Sequence, residues 1–113
     1  MKIRKLETEE KQNTKKLYEE VFSEDSKSFV DYYYEEKLKD NQIYAVEEDG
    51  EIQAMLHLNP YELAVNGSKK DVNYIVAVAT RESYRKRGYM AGLLKQALTP
   101  HMNYFLCLTF LMP

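Results

Sequence analysis

The stretch on which the fold turns is Tyr74-Ile75-Val76-Ala77-Val78-Ala79-Thr80, then Arg81-Glu82-Ser83-Tyr84-Arg85-Lys86-Arg87-Gly88, then Tyr89-Met90-Ala91-Gly92-Leu93-Leu94. The first segment continues a strand from Val72, unbroken by Gly or Pro and apolar on both faces from Tyr74 to Ala79. Such a strand lies inside a sheet that is covered on both sides. The last segment is helical, because Met90, Leu93, Leu94, Ala97 and Leu98 recur at the spacing of one helix face. Pro100 stops that helix.

Between them, a polar, basic loop turns the chain straight into a helix N-terminus. The amides of a first helical turn have no intrahelical acceptor and carry partial positive charge. They make an anion site suited to phosphate. Gly88 lets the backbone approach a ligand with no Cβ in the way. Arg81, Arg85, Lys86 and Arg87 add positive charge against Glu82 alone. The bland alternative is a solvated loop, and the long strand before it and the periodic helix after it favour the phosphate site. Spacing alone does not name the phosphate ligand.

Outward from this junction, Tyr104 to Met112 reads as a final apolar strand. A right-handed crossover through the helix makes it the parallel neighbour of the strand ending at Thr80. Upstream, Asn66-Gly67 and Asp49-Gly50 are hairpin turns. Ile43 to Val46 is one strand, and Ile52, Ala54, Leu56 and Leu58 alternate along the next. Pro60 predicts a bend or bulge before Tyr61 to Val65. Thr8 caps a helix to about Phe22, with Leu17, Tyr18, Val21 and Phe22 buried. Ser26 or Ser28 caps a second helix through Lys39, with Val30, Tyr33, Tyr34 and Leu38 inward. Lys2 to Leu6 alternates as an edge strand does. The order is β-α-α-β-β-β-α-β, an α/β domain over residues 1–113 with no internal boundary.

Composition bounds the function. The 113 residues are 44% hydrophobic and 30% charged with a net charge of -2, which gives the chain as a whole no reason to seek nucleic acid or an anionic membrane. Ten Tyr and four Phe point to half-buried aromatic surfaces. The single Cys107 forms no internal disulfide and reads as a small buried hydrophobe. No metal pattern, spanning segment or signal peptide is evident, which fits a cytoplasmic protein.

The run from Tyr74 to Thr80, Tyr84-Arg85-Lys86-Arg87-Gly88-Tyr89-Met90 and Leu93-Leu94 resembles the cofactor motif of the GCN5-related N-acetyltransferase (GNAT) superfamily, and within it the Eis-like branch. The resemblance implies a GNAT-like fold with a mostly antiparallel sheet and a parallel pair of fourth and fifth strands. Arg85 and Gly88 meet the motif; Met90 stands where the superfamily prefers Gly or Ala, a trait shared with Eis-like members. It implies acetyl-CoA as co-substrate and an amine, in a small molecule or a lysine side chain, as acceptor. The backbone of Val78, Ala79 and Thr80 is expected to pair with the pantetheine arm. The amides of Lys86, Arg87, Gly88, Tyr89, Met90 and Ala91, beside Arg85, are expected to hold the pyrophosphate.

The resemblance puts the catalytic acid on a helix after the fifth strand, so this chain reads as a partial domain and its catalytic residues stay unassigned. His57, between Leu56 and Leu58, reads as structural, and His101 as solvated. Tyr74 and the Tyr32-Tyr33-Tyr34-Glu35-Glu36 run border the acceptor side in such a fold, although packing explains them as well. An unpaired last strand invites self-association, giving a homodimer. The alternative to acetyl transfer is a degenerate acyl-CoA-binding or assembly module.

Overall fold

The structure is a computed structural model and describes residues 2–98 and 104–106. One five-stranded sheet runs in the order β1 (Lys2–Lys5), β2 (Gln42–Glu48), β3 (Glu51–Val65), β4 (Ser68–Thr80) and β5 (Tyr104–Leu106). The first three pairings are antiparallel, while β5 runs parallel to β4 with Tyr104 opposite Asn73. The α/β architecture with a mostly antiparallel sheet is thus the one expected.

Both hairpins follow from their turn residues. Asp49 and Gly50, then Asn66 and Gly67, all take positive φ, as the twist of two-residue hairpins demands. Glu7 and Glu10 form a reciprocal cap on a 3-10 segment, Thr8–Thr14, which leads into α1 (Lys15–Val21). The regular α-helix therefore begins later than a cap at Thr8 predicts. Ser26 caps α2 (Lys27–Glu36) by accepting from the Phe29 N–H. The chain tightens to 3-10 geometry over Lys37–Lys39.

Two apolar layers sandwich the sheet. On one face α1, α2 and the 3-10 turn that follows bury Leu17, Tyr18, Val30, Tyr33, Tyr34 and Leu38 against Ile43, Ala45, Met55, Val76 and Ala79. On the other, α3 (Tyr89–Ala97) buries Tyr89, Leu93 and Ala97 against Val46, Ala54, Leu56, Leu58 and Ile75. Full burial of a large apolar side chain contributes about 1.5–3 kcal/mol, so either layer outweighs any surface ion pair. Gly92 keeps α3 close to β1: a Cβ there would lie 2.5 Å from Ile3 Cδ1.

Three expectations need correction. Pro60 does not break β3; it pairs in register with Asn73 inside a continuous strand. The irregularity lies instead where Ala77 and Val78 of β4 together face Leu56, between the Met55–Ala79 and His57–Val76 pairs. Two residues opposing one make a β-bulge. Ala77 sits there at φ 52, so the strand is not regular throughout. A second bulge puts Gln53 between the Val46–Ala54 and Glu47–Ile52 pairs. It swings Ile52 to the α1 face, away from the face shared by Ala54, Leu56 and Leu58. The stop at Pro100, His101, Cys107 and the strand beyond Leu106 lie outside the described residues.

Candidate functional site

The loop after β4 is built from conformations few residues adopt. Arg85 is extended, Lys86 is at φ 65, and Gly88, the N-cap of α3, is at φ 79. The first bond that closes the helix runs from Gly92 N–H to Gly88 O at 3.1 Å. The amides of Tyr89, Met90 and Ala91 therefore have no acceptor within the helix. A left-handed residue beside extended or helical neighbours turns successive amides toward a common concavity, which binds anions. A Cβ built on Gly88 meets nothing within 4 Å, so that side of the backbone is open to a ligand.

The loop is tied down by side chains, which keeps this shape without a ligand. Tyr84 donates its hydroxyl to Asp49 in the β2–β3 turn. Its ring stacks on Tyr89, centroids 6.3 Å apart, and carries the Arg87 guanidinium 4.6 Å above it. Arg85 Nε donates to Thr80 O at 3.1 Å. Tyr89 is buried in the core, so it contributes its amide to the loop while its ring anchors the helix.

Arg81 does not join this cluster. Its backbone N–H donates to Gln53 O, and its guanidinium reaches Gln53 Oε1 at 2.7 Å, Glu20 at 2.7 Å and Glu51 at 3.3 Å. It fastens the end of β4 to α1 and to the β3 bulge. The sequence grouped it with Arg85, Lys86 and Arg87 because all four fall within seven positions. Those three stay on the exposed loop.

On the α2 side of β4 lies a hollow of about 260 Å³, walled by Phe29, Tyr33, Tyr61 and Tyr74 with Val76 and Ala77 at its floor. Tyr74 and Tyr33 thus come together with the bulge, whereas Tyr32 stands exposed outside it. Ala77 joins the two halves of the site: its side chain lines the hollow, and the next residues, Val78, Ala79 and Thr80, lead to the loop. Sequence reading missed this bulge, and nothing in Val76-Ala77-Val78 announces one.

Three buried groups nearby, His57, Tyr33 and Tyr18, are not poised for proton transfer near neutrality. His57 is fully buried with Nδ1 2.8 Å from Tyr33 Oη, and burial, then the positive Lys11, push its pKa down to about 3. Burial pushes the Tyr33 hydroxyl up to about 12. Tyr18 is raised by burial and by its bond to Asp25. His57 is thus a neutral core ring. Among the described residues no cluster of His, Cys, Asp and Glu gathers to hold a metal, and no helix is long and apolar enough to cross a membrane.

Residues 2–113 match the family described as the acetyltransferase (GNAT) domain. No curated protein sequence matches the chain. Among solved structures, a probable N-acyltransferase of Enterococcus faecalis superposes with a TM-score of 0.74 at 20% identity, covering 84% of this chain and 24% of that one. A predicted acetyltransferase of Clostridium acetobutylicum, solved with acetyl-CoA, gives 0.70 at 16% identity, covering 94% and 79%. An aminoglycoside 6'-N-acetyltransferase of Acinetobacter haemolyticus gives 0.65 at 19% identity, covering 85% and 68%. At these identities the likeness is one of fold.

Proposed function

The chain belongs to the acetyltransferase (GNAT) domain family, and from that premise we propose that it transfers the acetyl group of acetyl-CoA to an amine. The observation that carries this is the loop between β4 and α3. Left-handed Lys86 and Gly88 present the first-turn amides beside a strand that is bulged next to an aromatic hollow. In this reading the backbone amides of Lys86, Arg87, Gly88, Tyr89, Met90 and Ala91, with the Arg85 guanidinium, hold the pyrophosphate. Val78, Ala79 and Thr80 pair with the pantetheine arm as an added strand would. The subfamily is Eis-like, with Met90 as its mark.

The chemistry needs little from side chains. The amine nitrogen attacks the thioester carbonyl, its C–S bond breaks, the amine gives up a proton and the departing sulfur gains one. Alignment of two reactants alone supplies a large part of the barrier reduction. With His57 neutral in the core and Tyr33 raised by burial, no described side chain is assigned as acid or base. The acceptor's body fits the hollow against Ala77, which brings its nitrogen to the end of the strand that holds the acetyl arm.

The test is calorimetric titration with CoA, followed by thiol release from acetyl-CoA with a panel of amines. A saturable CoA heat that Gly88→Trp abolishes, with the variant still folded by circular dichroism, supports the loop assignment. Undiminished affinity in that variant removes it. Saturable binding without thiol release from any amine favours the acyl-CoA-binding module instead. The reading includes a homodimer formed through the last strand, and a sedimentation series that stays monomeric removes that part.

A further inference from the structure

The hollow beside Ala77 has a chemical character of its own. We infer that its occupant is a primary monoamine with a single aromatic ring, rather than a polycationic amine. This rests on the acetyl-transfer reading and narrows its acceptor.

Size is the first argument. At about 260 Å³ the hollow lies below the usual 300–1,000 Å³ range of pockets for drug-sized ligands. It encloses one ring on a short chain, whereas a compound of several linked sugars would extend out of it into solvent.

The walls give the second. Two aromatic pairs line it: Tyr61 and Tyr74, with ring centroids 4.7 Å apart, and Phe29 and Tyr33, 6.4 Å apart. Phe29 and Tyr61 remain 43% and 48% exposed, unusual for rings that adjoin a core. A ligand ring held against these rings would cover them and gain the offset or edge contacts that aromatic groups prefer. A single ammonium is also tolerated over tyrosine faces.

Charge gives the third. Among the described residues the one charged side chain that lines the hollow is Lys37, a cation, and no carboxylate lines it. Asp25 accepts from Tyr18 Oη at 2.8 Å, and Glu62, next to Tyr61, pairs with Lys69 at 3.4 Å. A polyamine or aminoglycoside would bring several ammonium groups to a site whose described lining offers them repulsion from Lys37 and no counter-charge. A monoamine loses its one positive charge before it reacts.

The experiment measures binding of 2-phenylethylamine, spermidine and kanamycin to the full chain by tyrosine fluorescence or calorimetry, with CoA titrated separately. Saturable binding of 2-phenylethylamine, tighter than either polycation, is expected. Tyr61→Ala should weaken it about fivefold or more, the value of one lost ring contact. Lys37→Glu should shift preference toward spermidine. Tighter binding of spermidine or kanamycin to the unaltered protein overturns the inference, as does failure of 2-phenylethylamine to bind. If CoA binds and 2-phenylethylamine does not, the acceptor inference falls while acetyl transfer stands. If 2-phenylethylamine binds in a Tyr61-dependent way and CoA does not, the ring pocket is real and the acetyl-transfer reading falls. Absence of both overturns both.

Discussion

Taking the protein from pH 7 to pH 5 challenges one buried ring. His57 is enclosed on all sides, its Nδ1 meets Tyr33 Oη at 2.8 Å, and Nε2 has no hydrogen-bond partner among the described residues. Burial, then Lys11, lowers its pKa from 6.5 to about 3. The unfolded chain takes up this proton near pH 6.5, whereas the folded one resists until pH approaches 3. Stability therefore holds in full above pH 6.5 and drains away as pH falls through the window from 6.5 to 3. At pH 5 the unfolded ring is almost wholly charged and the folded ring almost wholly neutral. The difference amounts to about 2 kcal/mol relative to pH 7. Against a typical total of roughly 5–15 kcal/mol, that is easily measured.

The assay is urea unfolding of the protein and of His57→Gln at pH 7, 6 and 5. Glutamine keeps a polar group for Tyr33 and does not titrate. The variant starts less stable, and the gap closes by about 2 kcal/mol on reaching pH 5. Groups that the substitution does not touch contribute equally in both proteins and cancel. Glu10, held at about 2 by Arg4 and by the Glu7 N–H, loses its contribution only as pH falls below its ordinary 4.5. Parallel curves for the two proteins would refute the assignment of His57 as a buried neutral ring.

Other outcomes follow from single contacts. Ala77→Gly should leave stability within about 1 kcal/mol of the parent or raise it, because relief of the left-handed strain offsets the lost methyl and the added chain entropy. Ala77→Val should cost about 2 kcal/mol or more in the same urea titration. Lys11 is buried, and its ammonium donates to the carbonyls of Leu38 and Asn41, at 3.0 Å for Leu38. Lys11→Met should lower stability by about 1–3 kcal/mol by orphaning them, and a gain in thermal midpoint would contradict that role.

What could be read from the sequence was what repeats or what has one conformational meaning. Asp49-Gly50 and Asn66-Gly67 announce two-residue hairpins because few other pairs accept positive φ twice. Leu17, Tyr18, Tyr33, Tyr34 and Leu93 lie where helical spacing puts them. Pro60 misled because a missing N–H was taken to interrupt the strand, whereas β3 tolerates it in register. Arg81 misled because adjacency in sequence is not adjacency in space. Its partners, Glu20, Glu51 and Gln53, come from two other elements. Tyr89 is buried although the apolar pattern was counted from Met90, because it lies four residues before Leu93 and eight before Ala97 on the same face of α3.

The bulge at Ala77 was the least legible feature and is the one that joins the two halves of the site. A regular strand would alternate Val76 and Ala77 between faces, and both belong here to the α1 and α2 side. One extra residue thus aims two small side chains at the hollow and returns Val78 to the α3 face. Such a device interrupts the ladder with β3 locally and bends the strand. Alanine in a left-handed conformation costs about 1–2 kcal/mol there, which the buried layers on both faces must offset. That cost can persist because Val76 and Ala79 are packed on either side of it, so the strand cannot slip by one residue without turning its apolar set toward the wrong face. A change that removes the bulge should therefore disturb amine binding and CoA binding together, whereas Tyr61→Ala or Gly88→Trp should each disturb one alone.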